Sequence, residues 1–269
     1  MPQAAPAVPH VLLLPGMTLN DSIFPDLPYP TVSVDFNDAP PPPDASRPMT
    51  RYVRELDHRL ATRDEWRAAP RRLVVAHSFG GMLALEWILA QSPMAALTDG
   101  LVLLATTAGP MYDMVKIRLA RFGDRDFRVG VTQLMSLWNQ PLVTRTMKRA
   151  MTGGRLAVER VDFREIENPT DLNVDFAGWR NTDWRAMRSY RSAMRNYDVR
   201  HRLGQVSVPT IVLHGSDDAL FATEAGQALA AGIPDAEFRM VKGARHALPL
   251  THGADVVRAV RDIAKRVDR

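Results

Sequence analysis

The sequence predicts an α/β protein built on one mostly parallel sheet with helices on both faces. Short apolar runs recur along most of the chain, several of them are apolar on consecutive positions, and many are separated by stretches with helical spacing of apolar residues. Continuous apolarity marks a strand covered on both faces, because neither set of alternating side chains then meets water. The 269 residues fit one large α/β unit, and 46% hydrophobic with 24% charged residues excludes general disorder and fibrous repeats. The chain contains no internal repeat.

The six runs expected to be strands are His10–Leu14, Thr31–Phe36, Leu73–His77, Leu101–Thr106, Thr210–His214 and Glu237–Lys242. Between the second and third, Met49–Thr62 places Val53, Leu56 and Leu60 on one face, with Thr50 as the expected N-cap of a crossover helix. Asp255–Val267 carries Val256, Val257, Val260, Ile263, Ala264 and Val267 on one stripe and reads as a closing helix. Ala39–Asp44 holds four consecutive prolines and is a stiff surface connection, since proline donates no hydrogen bond and breaks helix interiors.

From Gly109 to Gln205 the strand–helix alternation stops, and Trp138, Trp179, Trp184 and Arg185 stand among expected helices. This region is read as an inserted helical cap, with residues 1–108 and 206–269 forming the core. It holds 18 basic and 11 acidic residues, although the whole chain has a net charge of only +4, too modest to indicate nucleic acid. Its arginines are compatible with an anionic or carrier-bound substrate, but solvated helix faces are the plainer account of them. Its tryptophans could line an acyl pocket, while packing between layers is the plainer role for each.

There is no cysteine, so thiolate catalysis, disulfides and cysteine-ligated metals are excluded. The first ten residues lack the cationic start and apolar run of a secretory signal, and no apolar stretch approaches the ~20 residues of a transmembrane helix. A cytoplasmic protein without membrane insertion is therefore expected; oligomeric state is not legible.

The sharpest chemical signal is Leu73–Gly81, in which a buried strand runs through His77 into Ser78-Phe79-Gly80-Gly81 and a helical segment Met82–Gln91. A strand–turn–helix bend lifts a serine Oγ above the sheet and requires small neighbours. Gly80 and Gly81 supply these on the far side, and Ala76 stands in place of the first glycine of Gly-x-Ser-x-Gly. A serine hydroxyl needs an imidazole to take its proton, and the imidazole needs a carboxylate to fix its tautomer. The fifth run ends in Leu213-His214-Gly215-Ser216-Asp217-Asp218, and the sixth in Val241-Lys242-Gly243-Ala244-Arg245-His246. Both place their candidate groups just past strand C-termini, where ligand and catalytic groups of open α/β sheets gather.

Ser, Asp and His in this chain order resemble the α/β-hydrolase fold over nearly the whole sequence. The resemblance implies Ser78 as nucleophile, His246 as base and, through Gly-x-x-Asp at Gly215–Asp218, Asp218 as acid, with Asp217 the alternative. Before the base, only Gly243 and His246 of the family's Gly-x-Gly-His remain. Leu12–Met17, with Pro15-Gly16 after the first run, looks like the family's oxyanion element, which implies Met17 and Phe79 as backbone N–H donors. Each such donor is worth roughly 3 kcal/mol of barrier. His77 and His214 are expected to be packing residues, without ligand-spaced partners for a metal. His252 is the rival base, though the following glycine points to a solvated loop. Asp35 leads into a loop unlike the family's Asp-x-x-Gly-x-Gly, and the short N-terminal segment points to a compact version lacking an initial hairpin.

A serine hydrolase acting on a carboxylic ester, thioester or lactone is the leading reading, with no metal or organic cofactor implied and a small acyl compound as substrate. The same three residues also serve acyltransferases, carbon–carbon hydrolases, lyases and cofactor-free perhydrolases, whereas a serine in the bend argues against relatives with a carboxylate nucleophile. A non-catalytic ligand-binding protein on the same scaffold is the reading from a different class; fold alone does not separate them.

Overall fold

A computed structural model describes residues 8–17, 19–37, 39, 41, 48–110, 116–122, 125–130, 189–190, 192–194, 197–218 and 220–268. The strands are β1 (His10–Leu14), β2 (Thr31–Ser33), β3 (Arg72–His77), β4 (Gly100–Leu104), β5 (Lys116–Phe122), β6 (Arg125–Gly130), β7 (Thr210–Gly215) and β8 (Glu237–Val241). Six of them form one wholly parallel sheet in the order β2-β1-β3-β4-β7-β8. The helices are α1 (Pro48–Ala61), α2 (Asp64–Arg67), α3 (Phe79–Leu89), α4 (Thr223–Gly232), α5 (Leu248–Thr251) and α6 (Gly253–Val267).

The continuous apolar runs are explained by two separate cores. Leu12, Leu14, Val74, Ala76, Leu101, Leu103 and Val212 join one cluster with residues of α1, α3 and α4. Their alternates Val11, Leu13, Leu73, Val75, Val102, Leu104, Ile211 and Leu213 join a second, which contains the apolar stripe of α6. Strand side chains alternate between faces, so both sets must be apolar when both faces are covered. Burying one such Leu or Val side chain is worth about 1.5–3 kcal/mol.

The chain visits β1, leaves to the edge at β2, and returns to the opposite side of β1 to form β3, from which it proceeds to β4, β7 and β8. The connections after β1 and β3 thus depart in opposite directions, and the strand order reverses between them. Such a switch point opens a crevice at the carboxyl ends of the two strands. The Pro15-Gly16 turn and Ser78 both emerge there.

Several boundaries differ from the sequence expectation for identifiable reasons. Helix α1 starts two residues before Thr50, with Pro48 first, because proline's fixed φ and missing N–H suit that position; Thr50 is inside the helix and is not its N-cap. Strand β2 stops at Ser33, where β1 is also near its end, and the Asp35 carboxylate accepts from Asn37 N–H at 3.0 Å to turn the chain. Helix α3 begins at Phe79, directly after Ser78, rather than at Met82.

Within the expected helical cap, β5 and β6 form a two-stranded antiparallel pair. Ile117 and Leu119, then Phe127 and Val129, alternate with polar residues around Gly123-Asp124, a hairpin pattern that the helical reading passed over. Residues 189–190 and 192–194 are helical, and Arg200–Gln205 is a 3₁₀ helix leading back to β7. Trp138, Trp179, Trp184 and Arg185 lie outside the described residues. No helix among the described residues is long and apolar enough to cross a membrane.

The tightest fit in the sheet–helix packing is at Gly80, where an added Cβ would stand 2.1 Å from the Leu14 carbonyl oxygen. Around Gly204 nothing lies within 4 Å of such an atom. Gly80→Ala is expected to lower the unfolding free energy by about 3 kcal/mol or prevent folding, against about 0.5 kcal/mol or less for Gly204→Ala. Urea denaturation of the two variants checks this, and equal stabilities would contradict the packing.

Candidate active site

Ser78 is held in a backbone conformation that the surrounding structure imposes on it. Its φ of 52° lies in the left-handed region, at a cost of about 1–3 kcal/mol for a residue with a side chain. Ser78 N–H donates to the Leu104 carbonyl at 3.0 Å, and its own carbonyl accepts from Thr106 Oγ1 at 2.7 Å and from the amides of Gly81 and Met82. The backbone at residue 78 is therefore fixed from β4 on one side and from α3 on the other. Gly16 crowds the same point, since a Cβ there would lie 3.3 Å from Ser78 Cβ.

Asp218 follows β7 by three residues and is buried. Its Oδ1 accepts from the amides of Leu220 at 2.8 Å and Phe221 at 3.0 Å, and its Oδ2 lies 2.9 Å from His246 Nδ1. A third group, His214, brings Nε2 to 3.4 Å from Oδ2 while that nitrogen donates to the Phe221 carbonyl at 2.9 Å. Burial by itself would raise the Asp218 pKa; the facing His246, the hydrogen bonds from His214 and His246 and the Phe221 amide overcome it and hold the carboxyl well below the usual carboxylate range. Asp218 is thus an anion throughout the neutral range. Asp217, by contrast, is exposed and accepts from Ser216 Oγ at 2.6 Å.

His246 completes a hydrogen-bonded series across the crevice. Its Nδ1 faces Asp218, and its Nε2 lies 2.9 Å from Ser78 Oγ. The Phe221 ring meets the imidazole edge-on, with centroids 5.3 Å apart. The structure brings Ser78, Asp218 and His246 together, whereas His252 sits at the junction of α5 and α6 with Nδ1 2.9 Å from Thr251 Oγ1. Met17 occupies the turn after β1, and Phe79 is the first residue of α3, where helix amides have no partner within the helix. A shallow cleft borders Gly16 and Phe79 and is lined also by Asp35, Phe36, Leu83 and Tyr190.

Two contacts at the site are absent from the sequence reading. His77 Nε2–H donates to the backbone carbonyl of His246 at 2.9 Å, and His214 reaches Asp218. The Leu-His-Gly spacing before Asp218 puts His214 four residues from the acid, a signal that could have suggested their contact; no spacing could reveal a partner of His77 that lies 169 residues away. Among the described residues, no group of three or more His, Cys, Asp or Glu is arranged to hold a metal.

His77 is fully buried, and burial first, then the neighbouring His246, lowers its pKa to about 3. Its folded pKa lies below the ordinary histidine value of 6.5, so the unfolded chain binds the extra proton and stability falls as pH drops from about 6.5 toward 3. His77→Gln removes this pH dependence. Urea melts between pH 4 and 7 are expected to show a slope for the variant shallower by up to about 1.4 kcal/mol per pH unit. Identical slopes would show that His77 is not held neutral.

A family profile described as the alpha/beta hydrolase family matches residues 11–259. RutD of Variovorax paradoxus (strain S110), whose name provisionally assigns it carbamate hydrolysis, is 26% identical over 200 residues, covering 74% of this chain and 68% of that protein. Among solved structures, the enol-lactonase of Burkholderia xenovorans LB400 superimposes with a TM-score of 0.69 at 16% identity, over 98% of this chain and 94% of its own. A hydrolase of Pseudomonas aeruginosa PA01 does so with a TM-score of 0.67 at 19% identity, over 95% of this chain and 89% of its own. The parallel sheet reversing at β1 and β3, the bend at Ser78 and the extent of the profile match converge: the chain is a hydrolase of the alpha/beta hydrolase family.

Proposed function

We propose that the protein is a serine hydrolase that cleaves a small carboxylic ester, thioester or lactone through an acyl-enzyme on Ser78. The observation that carries the proposal is the unbroken series Ser78 Oγ, His246 Nε2, His246 Nδ1 and Asp218 Oδ2, with both links at 2.9 Å. In acylation, Ser78 Oγ attacks the substrate carbonyl carbon while its proton passes to His246 Nε2. The C–O or C–S bond to the leaving group then breaks, and His246 returns the proton to the departing oxygen or sulfur. A water molecule attacks the acyl carbon in turn, again losing its proton to His246, and the acid leaves as Ser78 Oγ is reprotonated. Asp218, anionic and facing Nδ1, keeps the imidazole proton on that nitrogen and stabilises the imidazolium formed in each half.

The carbonyl oxygen gains negative charge in both tetrahedral intermediates. The amides of Met17 and Phe79 are the donors for it, since their segments converge on Ser78 through Gly16 and through the start of α3. We assign substrate selection to residues 109–205, most of which lie outside the described residues. The carbamate hydrolysis in the RutD name and the enol-lactone in that of the Burkholderia structure are acyl-transfer substrates that the same three groups could process. They support the reaction class rather than a particular substrate.

Ser78→Ala is expected to lower the turnover of a short p-nitrophenyl ester by at least about 10⁴-fold with folding intact. A variant that keeps its turnover would refute the nucleophile. Of the two adjacent carboxylates, Asp218→Asn is expected to cost about 10³- to 10⁴-fold in kcat and Asp217→Asn less than about threefold, because only Asp218 faces His246. Steady-state kinetics of both variants on that ester decide the assignment, and a larger loss in Asp217→Asn would reverse it.

A further inference from the structure

His77 and Ser78 are consecutive residues at the end of β3, yet each reaches a different part of His246. Ser78 Oγ meets the imidazole Nε2, and the His77 side chain donates to the backbone carbonyl of the same residue. The His77 and His246 ring centroids are 5.1 Å apart, and the hydrogen bond from His77 goes to the main chain of His246 rather than to its ring, whose two nitrogens face Asp218 and Ser78. His246 lies in a segment whose main chain joins β8 to α5, outside any helix or strand. In this segment Ala244 N–H donates to Val241 and the Ala244 carbonyl accepts from Asp217 N–H, while the carbonyl of His246 itself is held by His77.

The second ring nitrogen of His77 fixes its donor form. Nδ1 is buried without a hydrogen-bond partner among the described residues, and it faces Gly16, whose added Cβ would lie 3.1 Å away. A proton on Nδ1 would be buried with no acceptor, at a cost of about 1–3 kcal/mol, so the neutral ring carries its proton on Nε2 and points it at the His246 carbonyl. Burial and the neighbouring His246 favour the same neutral form, lowering the pKa of His77 to about 3. Held neutral, His77 does not compete with His246 for the proton of Ser78.

We propose that His77 is a positioning residue for His246, tying the base's main chain to the residue that precedes the nucleophile so that the Oγ–Nε2 separation is set by one rigid strand end. Misplacing a reacting pair by about 1 Å can cost about 100-fold in rate, which gives this tether a kinetic role that packing alone would not have. The inference rests on the serine-hydrolase reading. Side-chain length distinguishes the two roles: Gln places an amide NH₂ as many bonds from Cα as His Nε2, Asn falls one bond short, and Leu fills space without donating.

The test measures the second-order rate of Ser78 labelling by a fluorophosphonate, with folding followed by circular dichroism, in the full chain and in Ser78→Ala, His77→Leu, His77→Asn and His77→Gln. His77→Leu and His77→Asn are expected to label about 10- to 100-fold more slowly than the unsubstituted protein, and His77→Gln to recover to within about threefold of it. If His77→Leu does not fold, the Asn and Gln pair decides. Wild-type rates in His77→Leu or His77→Asn, or an equal slowing in the Asn and Gln variants, would overturn the positioning role while leaving the nucleophile assignment intact. Labelling that persists in Ser78→Ala, or is absent from the unsubstituted protein, would overturn the serine-hydrolase reading and this inference with it.

Discussion

The start of α3 lies against the last carbonyl of β1 so closely that residue 80 has room only for hydrogen, and much of the site follows from that approach. With Gly80 pressed on Leu14 and Gly81 on Thr106, the chain leaving β3 has no space for a gradual turn. The sharp alternative is the left-handed φ at Ser78, whose strain is met by hydrogen bonds from both neighbouring elements. The strain raises the Oγ toward the crevice at which the strand order reverses. The scaffold thus spends stability at one residue to obtain a side-chain direction that relaxed backbone would not give.

A second constraint is electrostatic. Asp218 is a buried carboxylate, and a charge in that position is costly unless several donors meet it. Two backbone amides and two imidazole nitrogens converge on its two oxygens, which leaves the anion stable and its Oδ2 committed to His246. Because the carboxylate is fixed by the loop backbone, it can in turn fix the imidazole. The order of support runs from main chain to Asp218 to His246 to Ser78, and the exposed carboxylate of Asp217, bonded to Ser216, does not supply it. His214 takes part on the acid side and also holds the Phe221 carbonyl, so its burial serves the loop that carries Asp218 as well as the core.

Much of the site was legible because its signals are local. Ser78 stands in a strand–small-residue–helix context, Asp218 and His246 each follow a strand within a few residues, and their chain order carried the family resemblance that grouped the three. The choice of Asp218 came from the Gly-x-x-Asp spacing of the resemblance, and the structure gives its geometric content: Asp218 turns inward to His246 while Asp217 stays in solvent. His77 was legible only as a strand residue whose side chain points away from its successor's. Its partner is a carbonyl 169 residues distant, and backbone acceptors carry no residue-type signature. The β5–β6 pair is hard to read for a different reason: its short alternating runs sit in an arginine-rich region whose composition suits a helical surface.

Composition and periodicity alone determined that this chain makes a two-faced parallel sheet, because only burial on both sides accounts for consecutive apolar residues in the central strands. They also placed the C-terminal ends of β3, β7 and β8 to within about one residue, and hence put Ser78, Asp218 and His246 just past strand ends on one edge. Tertiary structure decided the distances. Whether an oxygen and a nitrogen 168 residues apart lie 2.9 Å or 6 Å from one another depends on how loops close over the sheet, and loop closure is set by packing and long-range hydrogen bonds that no local pattern encodes.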